Sequence, residues 1–248
     1  MPDPPRTISA LLANAATRFP DRVALVDGER RTSWRDLELR VRTCAAAIRE
    51  RAARADRIAV AMSNCDSAVV ALLAAMTSGT VAVPLHPDWP ESRVAAILED
   101  CSPAMAIVDD SLAGAAVSRR YPASLGAEAA LRARVPRPPD EVEPAEVAIL
   151  FYTSGTSRGA PRGVVCPHRQ VTFCVEAINS VLGYVTSDVI LCASPLSFDY
   201  GMYQVLLAMH AGATVVLRRD ATLIATLPGL LMREHVTVFP LVLSVAAA

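Results

Sequence analysis

No lysine occurs among the 248 residues; all 24 basic side chains are arginine. That absence excludes the Gly-x-x-x-x-Gly-Lys-Ser/Thr phosphate loop, in which the lysine reaches the phosphates, and no strand is followed by Gly-x-Gly-x-x-Gly either. An alanine-rich, arginine-only chain is also what coding bias yields, so an argument from any one arginine is discounted. Basic excess is missing as well. The net charge is -1, which argues against electrostatic binding to bulk nucleic acid or to an anionic membrane. The six cysteines form no Cys-x-x-Cys pair and the four histidines are scattered, which excludes zinc spacing and a short disulfide framework. Reduced thiols and a cytoplasmic setting are expected. The opening Met-Pro-Asp-Pro-Pro-Arg has no apolar signal segment. The longest apolar runs, such as Ala68–Met76, fall far short of the roughly 20 residues a membrane helix needs.

What the chain does hold is apolar bulk. Hydrophobic residues make up 52% and charged ones 20%, so the chain folds and needs no staples. Ile8–Phe19 carries a helical stripe, and Val23–Val26 pairs through Asp27-Gly28 with a strand ending at Thr32-Ser33-Trp34. Ser33 caps a helix running to about Arg51. Ile58–Met62, Val81–Leu85 and Ala104–Val108 read as strands. Between them stand helices over Ser67–Thr77, with a capping carboxylate at Asn64–Asp66, and over Ser92–Glu99. This alternation predicts an α/β fold with layered, parallel-rich sheets flanked by helices. Residues 111–146 are rich in arginine, proline and acid and read as an exposed connection between a first part (1–110) and a second (147–248). Strands follow at Val147–Tyr152, Val164–Val165, Val189–Cys192, Thr214–Leu217 and Val236–Phe239. The helices among them are about Pro167–Val181, Tyr203–His210 and Leu223–Glu234.

The segment Thr153–Gly163 lies between two apolar strands and holds four hydroxyl side chains, three glycines and two arginines. Glycines let the backbone approach a ligand, and successive N–H groups form an anion nest. Hydroxyls and guanidinium groups add hydrogen bonds to phosphate oxygens, worth about 1.5–3 kcal/mol each where charged. The composition fits a phosphate-gripping loop, and it fits a plain Ser/Thr/Gly hairpin equally.

Phe151–Gly163 resembles the signature of the adenylate-forming superfamily of acyl-CoA synthetases, nonribosomal-peptide adenylation domains and luciferases. That pattern reads Tyr-Thr-Ser-Gly-Thr-Thr-Gly-x-Pro-Lys-Gly-Val. Val164–Arg169, Thr32–Leu37, Asp56–Pro90 and Ala193–Gly201 are similar to further segments of the same family. The resemblance implies that a carboxylate attacks the α-phosphorus of ATP, with magnesium assisting, to give an acyl-adenylate and pyrophosphate. It places Thr153, Ser154, Gly155, Thr156, Ser157, Gly159, Arg162 and Gly163 on the phosphate-binding positions, with Arg162, the candidate catalytic residue, at the family's loop-lysine position. It places Phe198, Asp199 and Tyr200 on the acid pocket, where in amino-acid-activating members the Asp holds the substrate ammonium. Coenzyme A or a carrier protein is the implied acceptor of the acyl group.

Three departures bear on activity. Thr153–Gly163 has eleven residues where the pattern has ten. Arg162 replaces a compact donor by a planar fork. The family's magnesium-binding Glu, ribose-binding Asp and C-terminal lysine segments are not found in this chain, which reads as an incomplete N-terminal domain of the fold. Two readings stand: part of an acid-activating ligase, completed by further polypeptide or a complementary chain, or a remnant or interaction module without useful ATP binding. By itself the chain is expected to show no pyrophosphate exchange and poor solubility through an open sheet edge. No metal ligands are assigned. His168 reads as a capping or surface residue rather than part of the site, and Cys166 and Cys174 as core.

Overall fold

The computed structural model describes residues 5–108, 125–126, 141–153, 161–219 and 224–241. Chain order runs α1 (Ile8–Arg18), β1 (Val23–Asp27), β2 (Arg30–Ser33), α2 (Trp34–Arg49), β3 (Arg57–Ala61), α3 (Asp66–Thr77), β4 (Val81–Leu85), α4 (Glu91–Cys101) and β5 (Met105–Val108). It continues with β6 (Leu125–Gly126), β7 (Val147–Thr153), β8 (Arg162–Pro167), α5 (His168–Leu182), β9 (Val189–Cys192), α6 (Asp199–Ala211), β10 (Thr214–Leu217), a 3-10 turn (Ile224–Thr226) and α7 (Leu227–Arg233).

The described strands form two parallel-rich sheets, the layered arrangement the sequence pattern predicted. One has the order β2-β1-β10-β9, the other β6-β5-β3-β4-β7-β8. Within them only the β1/β2 and β7/β8 pairs are antiparallel. Period-two alternation explains the layering. Ile58 and Val60 of β3 face a central core shared with β1, β9 and β10 and with helices α1, α2, α3, α5 and α6. Ala59 and Ala61 of the same strand face α4 on the other side. Val26, Leu191 and Val216 point outward from the first sheet, where Leu227, Leu230 and Leu231 of α7 cover them. The result is α4, sheet, central helices, sheet and α7 in five layers.

Helix α3 lies in the middle layer, and Asp66 and all of Ala68–Thr77 are buried. A helix apolar on all sides belongs in such a place. Its alanines leave room for flanking backbone, and each buried Leu or Val contributes about 1.5–3 kcal/mol. Its start corrects the sequence reading. Cys65 is the N-cap, its side chain making no capping hydrogen bond, and Asp66 is the first helical residue. The Asp66 N–H instead donates to the Asp27 carboxylate at the end of β1, at 3.1 Å. The Asp66 carboxylate receives Arg40 at 2.8 Å and Arg30 at 3.3 Å. Burial pushes the Asp66 carboxyl up, but the Arg40 hydrogen bond and charge, with Arg30 and Ser67, outweigh it and hold the group below its ordinary range.

Other boundaries shift for local reasons. Ser33 caps α2 as expected, accepting from the Asp36 N–H at 3.1 Å. The helix expected at Tyr203 begins four residues earlier, at Asp199, and Val236–Phe239 makes only a parallel bridge at Val238 to Ile190. Most of the connection at 111–146 falls outside the described residues. Its last part is docked, not free: Val142 is buried, Arg54 pairs with Glu146 at 2.5 Å, and the His168 N–H donates to the Glu146 carbonyl at 3.0 Å. Among the described residues β8 forms one edge of its sheet, with Val164 and Val165 about half exposed. A charge on that edge is expected to oppose edge-to-edge pairing, so Val165→Lys should scatter less light than the wild type at equal concentration. Equal scattering would show that this edge is not the sticky surface.

Candidate functional site

Three of the eight phosphate-loop positions fall in the described structure, and β7 and β8 place them. β7 joins its sheet parallel to β4, with Ala82 opposite Ile149, and β8 returns antiparallel to it. Past an irregularity between Val147 and Ile149 the hairpin keeps one register to its last pairs, Tyr152 opposite Gly163 and Thr153 opposite Arg162. The chain therefore leaves the sheet at the C-terminal end of β7, the edge where β3 and β4 also end. Open parallel sheets take ligands at that edge. The extra residue of the loop does not disturb the strands on either side. Thr153, Arg162 and Gly163 are exposed; Ser154, Gly155, Thr156, Ser157 and Gly159 lie outside the described residues.

Tyr152, near the end of β7, was not singled out in the sequence. Its hydroxyl donates to the Asp100 carboxylate of α4 at 2.5 Å. Burial, that hydrogen bond and Cys101 push the phenol well up, so it remains a donor. The ring lies against Gly163, where an added Cβ would come within 3.2 Å of it. Gly163 thus admits the tyrosine that fastens the hairpin to α4.

The three acid-pocket residues part company. Asp199 and Tyr200, in the first turn of α6, line a cavity of about 920 Å³. Cys174 and Ile178 of α5, Tyr203 of α6 and Val238 are also among its walls. Burial, then Cys174, Cys166 and Asp199, push the Tyr203 phenol up. At one side the Tyr184 hydroxyl donates to Gln204 at 3.4 Å, and the Gln204 amide donates to the Tyr200 carbonyl at 3.1 Å. Phe198 turns elsewhere. Its ring meets Trp89 edge-on at 5.8 Å, Trp89 lies 6.3 Å from the His86 ring, and the Arg93 guanidinium sits 3.9 Å over Trp89. His86 and Trp89 follow β4 directly, and that position at a strand's C-terminal end was the sequence signal for them.

Two readings of the sequence are corrected. His168 is neither a cap nor a surface residue: it is fully buried, and its Nδ1 accepts the Ile8 N–H of α1 at 3.2 Å. Cys166, half-buried, packs against the central core as expected, whereas Cys174, also half-buried, borders the cavity. Among the described residues no three metal-capable side chains gather, so no magnesium ligand is assigned here, and no helix is long and apolar enough to cross a membrane.

Comparison with known proteins agrees with this geometry. The family described as AMP-binding enzyme matches residues 12–248. Phosphinothricin tripeptide synthetase PhsC of Streptomyces viridochromogenes is 30% identical over 225 residues, covering 88% of this chain and 20% of that protein. The crystal structure of VinN in complex with L-aspartate is 28% identical, with a TM-score of 0.88 over 97% of this chain and 63% of that one. O-succinylbenzoate coenzyme A synthetase from Bacillus subtilis, solved with ATP and magnesium, shares the fold at 21% identity, TM-score 0.86, over 99% of this chain and 65% of that one. The chain thus spans a fifth of the length of PhsC and under two-thirds of these solved chains.

Proposed function

The chain belongs to the AMP-binding enzyme family, and from that premise we propose that it serves ATP-dependent activation of a carboxylic acid to an acyl-adenylate. The observation that carries this reading is the β7–β8 pairing, which sets Thr153 and Arg162 opposite each other at the ligand-binding edge of a parallel sheet. Thr153, Arg162 and Gly163, with the intervening Ser154, Gly155, Thr156, Ser157 and Gly159, hold the phosphates. Arg162 offers the triphosphate a charge-assisted fork. Magnesium, supplied with the nucleotide, would neutralise phosphate charge; no ligand for it is assigned within this chain.

The acid enters the cavity beside α6. Asp199 gives that cavity a carboxylate matched to an ammonium group, and VinN was solved with L-aspartate, so amino acids are the first acids to test. The acyl group passes to coenzyme A or a carrier protein. Polypeptide corresponding to the rest of the longer relatives, in this chain or a partner, supplies that half-reaction. The six cysteines are thiols rather than disulfides, which supports a reducing, cytoplasmic setting. A fold kept as an interaction module is the second reading, favoured by the lengthened loop and by Arg162 in the lysine position.

Two measurements separate them. Arg162→Ala is expected to weaken ATP binding about tenfold by calorimetry, the loss of one charge-assisted contact. An acid that fills the cavity is expected to slow maleimide labelling of Cys174, and Asp199→Ala to remove the preference for amino acids among protecting acids. Absence of both nucleotide binding and protection leaves the interaction module. Acid-dependent pyrophosphate exchange well above that of Arg162→Ala would make the chain a catalyst unaided.

A further inference from the structure

We propose that Asn64 is the positioning residue of the acid site: its side-chain amide, reaching from the second sheet to the first, sets where the Phe198–Asp199 corner stands. The link to substrate rests on the adenylation reading above; the geometry of the clamp does not.

Asn64 follows β3 and precedes α3, and it is buried. Its Oδ1 accepts the Leu196 N–H at 2.9 Å, and its Nδ2 donates to the Ser194 carbonyl at 2.8 Å and, at greater length, to the Cys192 carbonyl at 3.5 Å. A primary amide carries a donor and an acceptor side by side, as a peptide unit does. Asn64 therefore acts as a strand neighbour for residues that have just left β9. The Ser194–Leu196 backbone it holds is the last stretch before the corner. The Phe198 N–H donates to the Pro195 carbonyl at 3.0 Å, and the Met202 N–H to the Phe198 carbonyl at 3.1 Å. On the far side α6 presses on the same peptide: a Cβ at Gly201 would stand 2.3 Å from the Pro195 oxygen and 2.6 Å from that of Ser194. The peptide is thus gripped between the Asn64 amide and the start of α6. Its position decides how Phe198 meets Trp89 and where Asp199 and Tyr200 face the cavity. No other side chain can replace the pair of bonds without loss. Aspartate keeps the acceptor but turns an oxygen toward two carbonyls, and leucine keeps the volume but leaves buried backbone groups unpaired.

The two tryptophans give a direct readout. Trp34 is buried in the central core at the start of α2, and Trp89 touches Phe198. Indole N–H resonances of the full chain, recorded at pH 7.5 with 15N-labelled tryptophan, are expected to show Asn64→Ala moving Trp89 toward its place in Phe198→Leu while Trp34 stays. Asn64→Asp moves it in the same direction and decides the matter if Asn64→Ala does not fold. Where wild type binds an acid and ATP, Asn64→Ala is expected to weaken the acid about tenfold and ATP less than about twofold, as misplacement of one wall predicts. A Trp89 resonance unmoved, Trp34 shifting as far as Trp89, or ATP weakened as much as the acid overturns the proposal. Failure of wild type to bind either ligand would sink the adenylation reading, and the Trp89 shift would still decide whether Asn64 holds the corner.

Discussion

Gly201→Ala is expected to destabilise the chain by about 3 kcal/mol, at the upper end of what overpacking one methyl group costs. The new Cβ would lie 2.3 Å from the Pro195 oxygen and 2.6 Å from the Ser194 oxygen, both backbone atoms that no rotamer change can move. Neither side has slack. Asn64 holds the Ser194 carbonyl at 2.8 Å, and α6 behind Gly201 is anchored by the buried Met202, Val205, Leu206 and Met209. Relief has to come from unwinding the first turn of α6 or from pulling Ser194 off Asn64, and either displaces Asp199. For a chain of this size the loss corresponds to a fall in Tm of roughly 6–12 °C. Gly229→Ala is the matched control, because nothing lies within 4 Å of its built Cβ and α7 is exposed there. It should stay within about 1 kcal/mol of wild type. A Gly201→Ala chain that melts with Gly229→Ala would show that the peptide is not pinned.

Much of the fold was legible because its signals are local. Val189–Cys192 and Thr214–Leu217 are apolar runs bounded by turn residues and fall where expected, and Ser33 caps α2 through its own neighbour. Misreadings cluster where a distant group supplies what the local sequence lacks. Asp66 looked like a cap because a carboxylate at a helix start usually is one, yet the cap comes from Asp27 on another strand. The sequence pattern starts this helix only at Tyr203, after the segment Asp199–Met202. Burial of Met202 against the central core extends the helix through it. The site divided the same way. Thr153, Arg162 and Gly163 were legible from the loop pattern. Trp89, Tyr152 and Asn64 were not, because each matters through a partner from 52 to 132 residues away.

His168 gives the second large expectation, an acid-sensitive stability of about 3 kcal/mol at roughly 1.4 kcal/mol per pH unit. Burial pushes its pKa down from 6.5 to about 4, against the opposing pull of Glu146 and the nearby Met76 carbonyl. Geometry demands the same neutral form. Nδ1 accepts the Ile8 N–H, so it carries no proton, and the ring's proton sits on Nε2 in a fully buried place. Between pH 6.5 and about 4 the unfolded chain takes up a proton that the folded chain refuses. Stability from this group is complete above pH 6.5 and drains away as pH falls to about 4. Asp66 acts in a lower window: its contribution is present above the ordinary carboxylate value and disappears only as pH falls through its depressed folded value. His168→Asn separates the two, since its amide oxygen can accept the Ile8 N–H and it does not titrate. Urea unfolding at pH 7 and pH 4 should show wild type losing about 3 kcal/mol more than this variant across the interval. Parallel losses would mean that the imidazole takes up its proton in the folded state, and with it that the Ile8 N–H is not held by Nδ1. The outcome matters beyond stability, because this one ring joins the start of α1 to the start of α5, and α5 carries Cys174 and Ile178 into the cavity wall.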